Sequence, residues 1–162
     1  MLIARIPGIL SKTFKSLTWE IPSSEKVVYL TFDDGPTPEV TEWTLNQLKK
    51  YQSKATFFCL GNNVRQHPLI YEKILEEGHA VGNHSYSHVK GFRKSVASYV
   101  ANVDQASQFI NSNLYRPPYG RILPGQVKNL RPKYRIIMWT VLSVDYNRNL
   151  SGDKVVRNVT AH

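Results

Sequence analysis

From Lys26 to Asp33 the chain is an almost unbroken run of β-branched and aromatic residues, Val27, Val28, Tyr29, Leu30, Thr31 and Phe32, and it stops at Gly35-Pro36. Such a run predicts a strand with two carboxylates, Asp33 and Asp34, at its carboxyl end. Thr37 then stands as a helix N-cap with Pro38 at the first helical position, and Val40, Trp43, Leu48 and Tyr51 fall on one helical face. The alternation repeats. A strand is predicted near Lys54 to Leu60, a helix from Pro68 to about Glu77 closed by Gly78, and a short extended piece at Ala80 to Asn83. Between Ser95 and Asn111, Val96, Tyr99, Val100, Val103, Ala106 and Ile110 recur at three- and four-residue intervals, the mark of an amphipathic helix. Beyond Leu114 to Pro118 come a helix near Gln126, a buried strand over Tyr134 to Val141, a polar loop and a last helix from about Ser151.

Repeated βα units without an internal repeat predict an α/β fold, mainly a parallel sheet with helices outside it and chemistry at the carboxyl ends of the strands. Periodicity alone leaves an open sheet and a barrel equally possible. The sequence ends on a helix, where one more strand would continue the alternation.

Composition narrows the picture in three ways. A length of 162 residues with 41% hydrophobic and 11% aromatic content is enough for one core without disulfides, and the single Cys59, inside the run Ala55 to Leu60, reads as a small buried hydrophobe. The net charge of +9 could attract an acidic polymer, but the basic residues are scattered and no nucleic-acid motif accompanies them, so no nucleic-acid partner is expected. The apolar start, Met1 to Leu10, is interrupted by Arg5 and Pro7-Gly8 before a signal-type stretch develops, and no run is long enough to span a bilayer. A cytoplasmic or membrane-peripheral location is the corresponding expectation; oligomeric state is left open.

The chemistry concentrates in two segments. In Thr31-Phe32-Asp33-Asp34-Gly35-Pro36, two adjacent like charges are unfavourable without a cation nearby, although a solvated strand-end turn would also use such acids. In Asn83-His84-Ser85-Tyr86-Ser87-His88, imidazoles four apart would share a face if the segment turned helically, which suits capture of one ion. One carboxylate and two imidazoles make three protein ligands and leave a position for water, the pattern of a catalytic zinc site; the second aspartate is then a base.

These two segments and Arg116-Pro117-Pro118-Tyr119-Gly120 resemble, in order, successive motifs of the polysaccharide deacetylase family, the NodB homology domain. The resemblance covers residues 26–162 and leaves residues 1–25 as an N-terminal extension. It implies a distorted (β/α) barrel and metal-assisted removal of acetyl groups from N-acetylated glycans such as chitin oligomers or peptidoglycan. It implies Asp33 as the base, and Asp34, His84 and His88 as ligands of one divalent ion, zinc first and cobalt or nickel as alternatives. Arg116 would hold the base, and Tyr119 would offer a backbone N–H to the oxyanion.

Two departures from the family pattern stand out. The family's Asp-x-x-Asp-Trp motif falls on Leu142-Ser143-Val144-Asp145-Tyr146, where only Asp145 keeps its acid, and the family's final Leu-x-x-His strand, source of the acid for the leaving amine, has no counterpart. Val159-Thr160-Ala161-His162 has the spacing but reads as a helix end. The barrel is therefore expected to be incomplete at its C-terminal side and activity reduced, with a non-catalytic glycan-binding module as the alternative. His67 and His79 are read as structural, and Trp19, Trp43 and Trp139 as core or groove-edge aromatics.

Overall fold

The computed structural model describes residue 8 and residues 13–161. The expectations for the apolar start and for His162 thus fall largely or wholly outside the described residues. The chain divides into two compact units, Ser23–Ile136 and, separately, Met1–Pro22 with Ile137–His162.

The larger unit is built on five parallel strands, β1 (Thr31–Asp33), β2 (Thr56–Cys59), β3 (Ala80–Asn83), β4 (Leu114–Tyr115) and β5 (Arg135–Ile136). Their order in the sheet is their order in the chain. That sequential winding is the winding of a barrel rather than of a doubly wound sheet, whose order reverses. The connections carry helices α1 (Val40–Lys50), α2 (Gly61–Gln66), α3 (Pro68–Glu76), α4 (Val96–Ala106) and α5 (Pro124–Leu130).

The helix signals read from sequence act as expected in α3 and α4. Pro68 starts α3 and Gly78, at φ 73°, follows its end, a conformation that glycine adopts without steric cost. Ser95 caps α4 by accepting the Ser98 N–H at 3.2 Å, and Tyr99, Val103 and Ala106 are buried along one stripe. One face of the sheet packs on this layer. Leu45, Leu48, Phe57, Cys59, Val64, Ile74, Val81 and Ala106 form a single apolar cluster.

Alternation along the strands gives the sheet a second, different face. Phe57 and Cys59 of β2 point into the cluster, whereas Phe58, between them, lies on the side of Gly82. A Cβ on Gly82 would come within 2.4 Å of the Phe58 ring, so β3 needs glycine there to let that ring lie flat against it.

Three sequence expectations are corrected. In α1 the buried residues are Thr41, Thr44, Leu45 and Leu48, while Val40, Trp43 and Tyr51 are exposed. The threonines can be buried because their hydroxyls are satisfied locally: Thr44 donates to Val40 O at 2.8 Å and Thr41 Oγ1 accepts the Thr37 N–H at 2.8 Å. The first strand is shorter than the apolar run from Lys26, and Tyr134 to Val141 contributes only Arg135–Ile136 to the sheet. Helix α2 was not anticipated, since Gly61-Asn62-Asn63 carries turn chemistry rather than apolar periodicity.

The smaller unit contains α6 (Gly152–Thr160), capped by the Ser151 hydroxyl, and a parallel bridge between Thr18 and Ile137. Asn158 donates to Ser143 O at 2.9 Å. No helix among the described residues is long and apolar enough to cross a membrane.

Candidate metal centre

At the carboxyl end of β1 the backbone leaves the strand through Asp34, at φ 69°, a left-handed conformation that Asp tolerates better than most residues. This turn keeps at one end of the sheet two carboxylates that a continuing strand would place on opposite faces. Asn63 of α2 fixes it by donating to Asp34 O at 2.8 Å, and the Leu60 N–H binds Gly35 O at 2.9 Å.

Beyond β3, His84 and His88 approach each other through a turn and not through a helix. Ser85 and His88 are left-handed, at φ 69° and 52°. Neighbouring elements hold that loop from several sides. Asn83 accepts the Ser85 N–H at 2.8 Å and donates to Val103 O at 3.0 Å. Asn102 of α4 accepts the N–H groups of Tyr86 and Ser87 and donates to the Ser87 hydroxyl, while the first N–H groups of α2 bind Ser85 O and Tyr86 O at 3.0 Å.

The result is a convergence of donors. His84 Nε2 lies 3.5 Å and His88 Nε2 3.2 Å from Asp34 Oδ1, and one ligand atom from each residue lies within 4.8 Å of the others. His84 is buried, and its Nδ1 sits 2.7 Å from Arg116 O, a pure acceptor, so Nδ1 carries the proton. Burial pushes the His84 imidazole below its ordinary pKa, against the pull of Asp33 and Asp34. In that neutral form Nε2 presents a lone pair to a carboxylate oxygen. Two acceptors facing each other are unfavourable unless a cation is shared between them. A tetrahedral ion with bonds of about 2.0–2.1 Å holds its ligand atoms roughly 3.3 Å apart, so this donor set fits such an ion.

Asp33 is placed differently. Its Oδ1 accepts from Arg116 Nη1 at 2.8 Å, and the same nitrogen donates to Thr31 Oγ1 at 2.7 Å. Thr31 and Asp33 are two apart on β1 and therefore share the face on which Arg116 lies. Arg116 is only 3% exposed and stacks its guanidinium 4.2 Å from the Phe58 ring centroid. Burial lowers its pKa, and Asp33 pulls it back up; a guanidinium stays charged under such a balance. Burial, with Asp33 as the lesser cause, pushes the Cys59 thiol up to about 12, which makes it the inert core residue its setting suggested.

Tyr119 adopts φ 60°, its ring 4.4 Å from that of His88, and its N–H has no hydrogen-bond partner among the described residues. The structure thus gathers Asp33, Asp34, His84, His88, Arg116 and Tyr119 in one unit. Asp145 belongs to the smaller unit, where it accepts the Ser143 hydroxyl at 2.8 Å. Sequence reasoning did not single out Asn63, Asn83 and Asn102; an asparagine able to serve both an N–H and a carbonyl is a signal only once its neighbours in space are known. His79 is structural as expected, its Nδ1 accepting the Ala55 N–H at 3.3 Å.

Known proteins share this architecture. A peptidoglycan-N-acetylglucosamine deacetylase of Bacillus cereus is 37% identical over 145 residues, which span 85% of this chain and 52% of that protein. The peptidoglycan-N-acetylmuramic acid deacetylase PdaC of Bacillus subtilis is 36% identical over 145 residues, 84% of this chain and 31% of that protein. The chain therefore spans about half or less of the length of these relatives. The crystal structure of the Bc1960 peptidoglycan N-acetylglucosamine deacetylase superposes with a TM-score of 0.86 at 34% identity, covering 93% of this chain and 74% of that one. Residues 20–132 match the polysaccharide deacetylase profile, a stretch that holds the turn at Asp34, the His84–His88 loop and Arg116, and by that match the chain belongs to the polysaccharide deacetylase family.

Proposed function

We propose that this chain hydrolyses the acetamide of an N-acetylated carbohydrate, with Asp34, His84 and His88 holding one divalent ion, zinc in the first place and cobalt or nickel as alternatives. The observation that carries the reading is the division of labour between neighbouring acids. Asp34 faces two imidazole nitrogens, while Asp33 is tied to Arg116 at 2.8 Å and takes no part in that cluster. When bound, such an ion polarises the acyl oxygen and lowers the pKa of water beside it to about 7.

The protein's own groups supply the rest. Arg116 anchors Asp33 through Oδ1 and leaves Oδ2 to take the proton of the attacking water, so the base is oriented before substrate arrives. Because Arg116 is itself held by Thr31 and stacked on Phe58, the carboxylate has little rotational freedom to lose. The Tyr119 N–H, unpaired among the described residues, is a fixed donor for the oxyanion that develops on the acyl carbon's oxygen. Collapse then needs a proton on the amine nitrogen, and the acid formed at Asp33 carries one.

Acetate release from an N-acetylated glycan tests the reading. Chelation should abolish it and added zinc restore it, and Asp33→Asn should slow it about 10²- to 10⁴-fold while zinc stays bound. Glycan affinity without acetate release would favour the glycan-binding module instead, and an unaffected Asp33→Asn rate would remove Asp33 from its role.

A further inference from the structure

Beside the metal centre, the loop that follows His88 and the turn that follows Tyr119 together form a continuous edge. The Lys90 ammonium sits 5.2 Å from the Tyr119 ring centroid, and that ring lies against His88. Two residues on, Phe92 is half exposed, with the guanidinium of Arg93 at 5.9 Å and that of Arg121 at 5.7 Å from its centroid. Gln126, fully buried, donates to Gly91 O at 2.8 Å, and a Cβ on Gly91 would stand 3.3 Å from Arg121 O. The two backbones therefore touch, and a buried amide fastens them, which gives the three cations a fixed base.

Among the described residues no acid pairs with this edge. Between Glu77 and Asp145 the sequence contains one acidic residue, Asp104, and Lys133 takes it at 2.9 Å. The two aspartates of the site are committed as well, Asp33 to Arg116 and Asp34 to the two imidazoles. Lys90, Arg93 and Arg121 form no ion pair among the described residues. Three like charges collected on aromatic faces repel one another, and an anionic ligand relieves that repulsion. Lys90 stands one ring from His88, and Arg121 follows Tyr119 by two residues, so such a ligand would lie beside the metal centre.

We infer that Lys90, Arg93 and Arg121 read a carboxylate carried by the glycan, so that the substrate class is an acidic N-acetylated saccharide, of the kind containing muramic acid, in preference to a neutral one such as a chitin oligomer. This rests on the deacetylase reading for the place of the substrate, but it concerns recognition and not the chemical step. The rim is solvated, so each cation contributes modestly and its effect is screened within about 8–10 Å at physiological salt. The ammonium and both guanidiniums act as charges, and the guanidiniums can also grip a carboxylate through two parallel hydrogen bonds.

The test compares one tetrasaccharide of alternating N-acetylglucosamine and N-acetylmuramic acid with the same compound after its carboxyl groups have been reduced to alcohols. Affinities of the full chain loaded with zinc are measured by calorimetry at low and high salt, and acetate release is followed in parallel. The natural tetrasaccharide should bind about 3- to 10-fold more tightly than the reduced one, and added salt should erase most of that preference. Lys90→Gln and Arg121→Gln should each weaken binding of the natural compound about 2- to 5-fold and leave the reduced compound unaffected. Equal affinity for both compounds, or a preference that survives both substitutions combined, overturns the inference. A preserved preference without acetate release from either compound supports the rim and overturns the deacetylase reading, so the two fail separately.

Discussion

The two faces of the same short strands obey different rules. On the helix side, Phe57, Cys59 and Val81 join side chains from α1, α2, α3 and α4 in one apolar cluster whose backbone is regular. At the carboxyl ends and on the opposite face, Asp34, Ser85, His88 and Tyr119 all occupy left-handed conformations, and polar groups are held by Asn63, Asn83, Asn102 and Arg116. Backbones of that kind persist only where the surroundings over-determine them. The first region creates stability by burying area; the second draws on that stability to fix a few polar atoms.

The largest effect is expected in the apolar core. Ile74→Ala removes a fully buried side chain and should cost about 2–5 kcal/mol in denaturant unfolding, with zinc still bound once per folded molecule. Loss of zinc from the folded fraction would show the two regions to be less separable than described. Gly82→Ala acts on the boundary, because the new methyl collides with Phe58, the ring beneath Arg116. It should cost about 1–3 kcal/mol and also lower the acetate-release rate by displacing Arg116 and Asp33. A loss of stability with an unchanged rate would mean that Phe58 does not support the base.

A smaller effect sharpens the stability side. His79 is buried, and burial first, then Lys54, lowers its pKa, with Glu77 pulling the other way. The unfolded chain therefore takes the proton first as pH falls. The stability His79 contributes is present above its ordinary value near 6.5 and is lost as pH falls from there toward the folded value, by at most about 1.4 kcal/mol per pH unit. In chemical denaturation from pH 7.5 to 5.0, His79→Gln, which keeps an acceptor for Ala55, should flatten that part of the slope. An unaltered slope would assign it to other groups.

The same contrast explains what the sequence disclosed. Strands β2 and β3 and helices α3 and α4 were legible because their apolar spacing and their caps are local facts. The face of α1 was misread because Thr41 and Thr44 are buried through hydrogen bonds that no hydrophobicity count registers, leaving Trp43 and Tyr51 outside. The candidate site residues stand out in the motifs, but the route by which their side chains come together does not. The four-residue spacing of His84 and His88 suggested a helical face, whereas left-handed turns at Ser85 and His88 do the work, and these depend on Asn83 and Asn102, which are neighbours in space.

The central claim is that Asp34, His84 and His88 share one ion while Asp33 stays free of it. Zinc stoichiometry by native mass spectrometry tests this most directly, on the unaltered chain and on Asp34→Ala, His84→Ala, His88→Ala and Asp33→Asn. One zinc per chain is expected in the unaltered protein and in Asp33→Asn, and none at the same free zinc in the other three. An unaltered chain that binds no zinc, or ligand variants that still bind one, would contradict it.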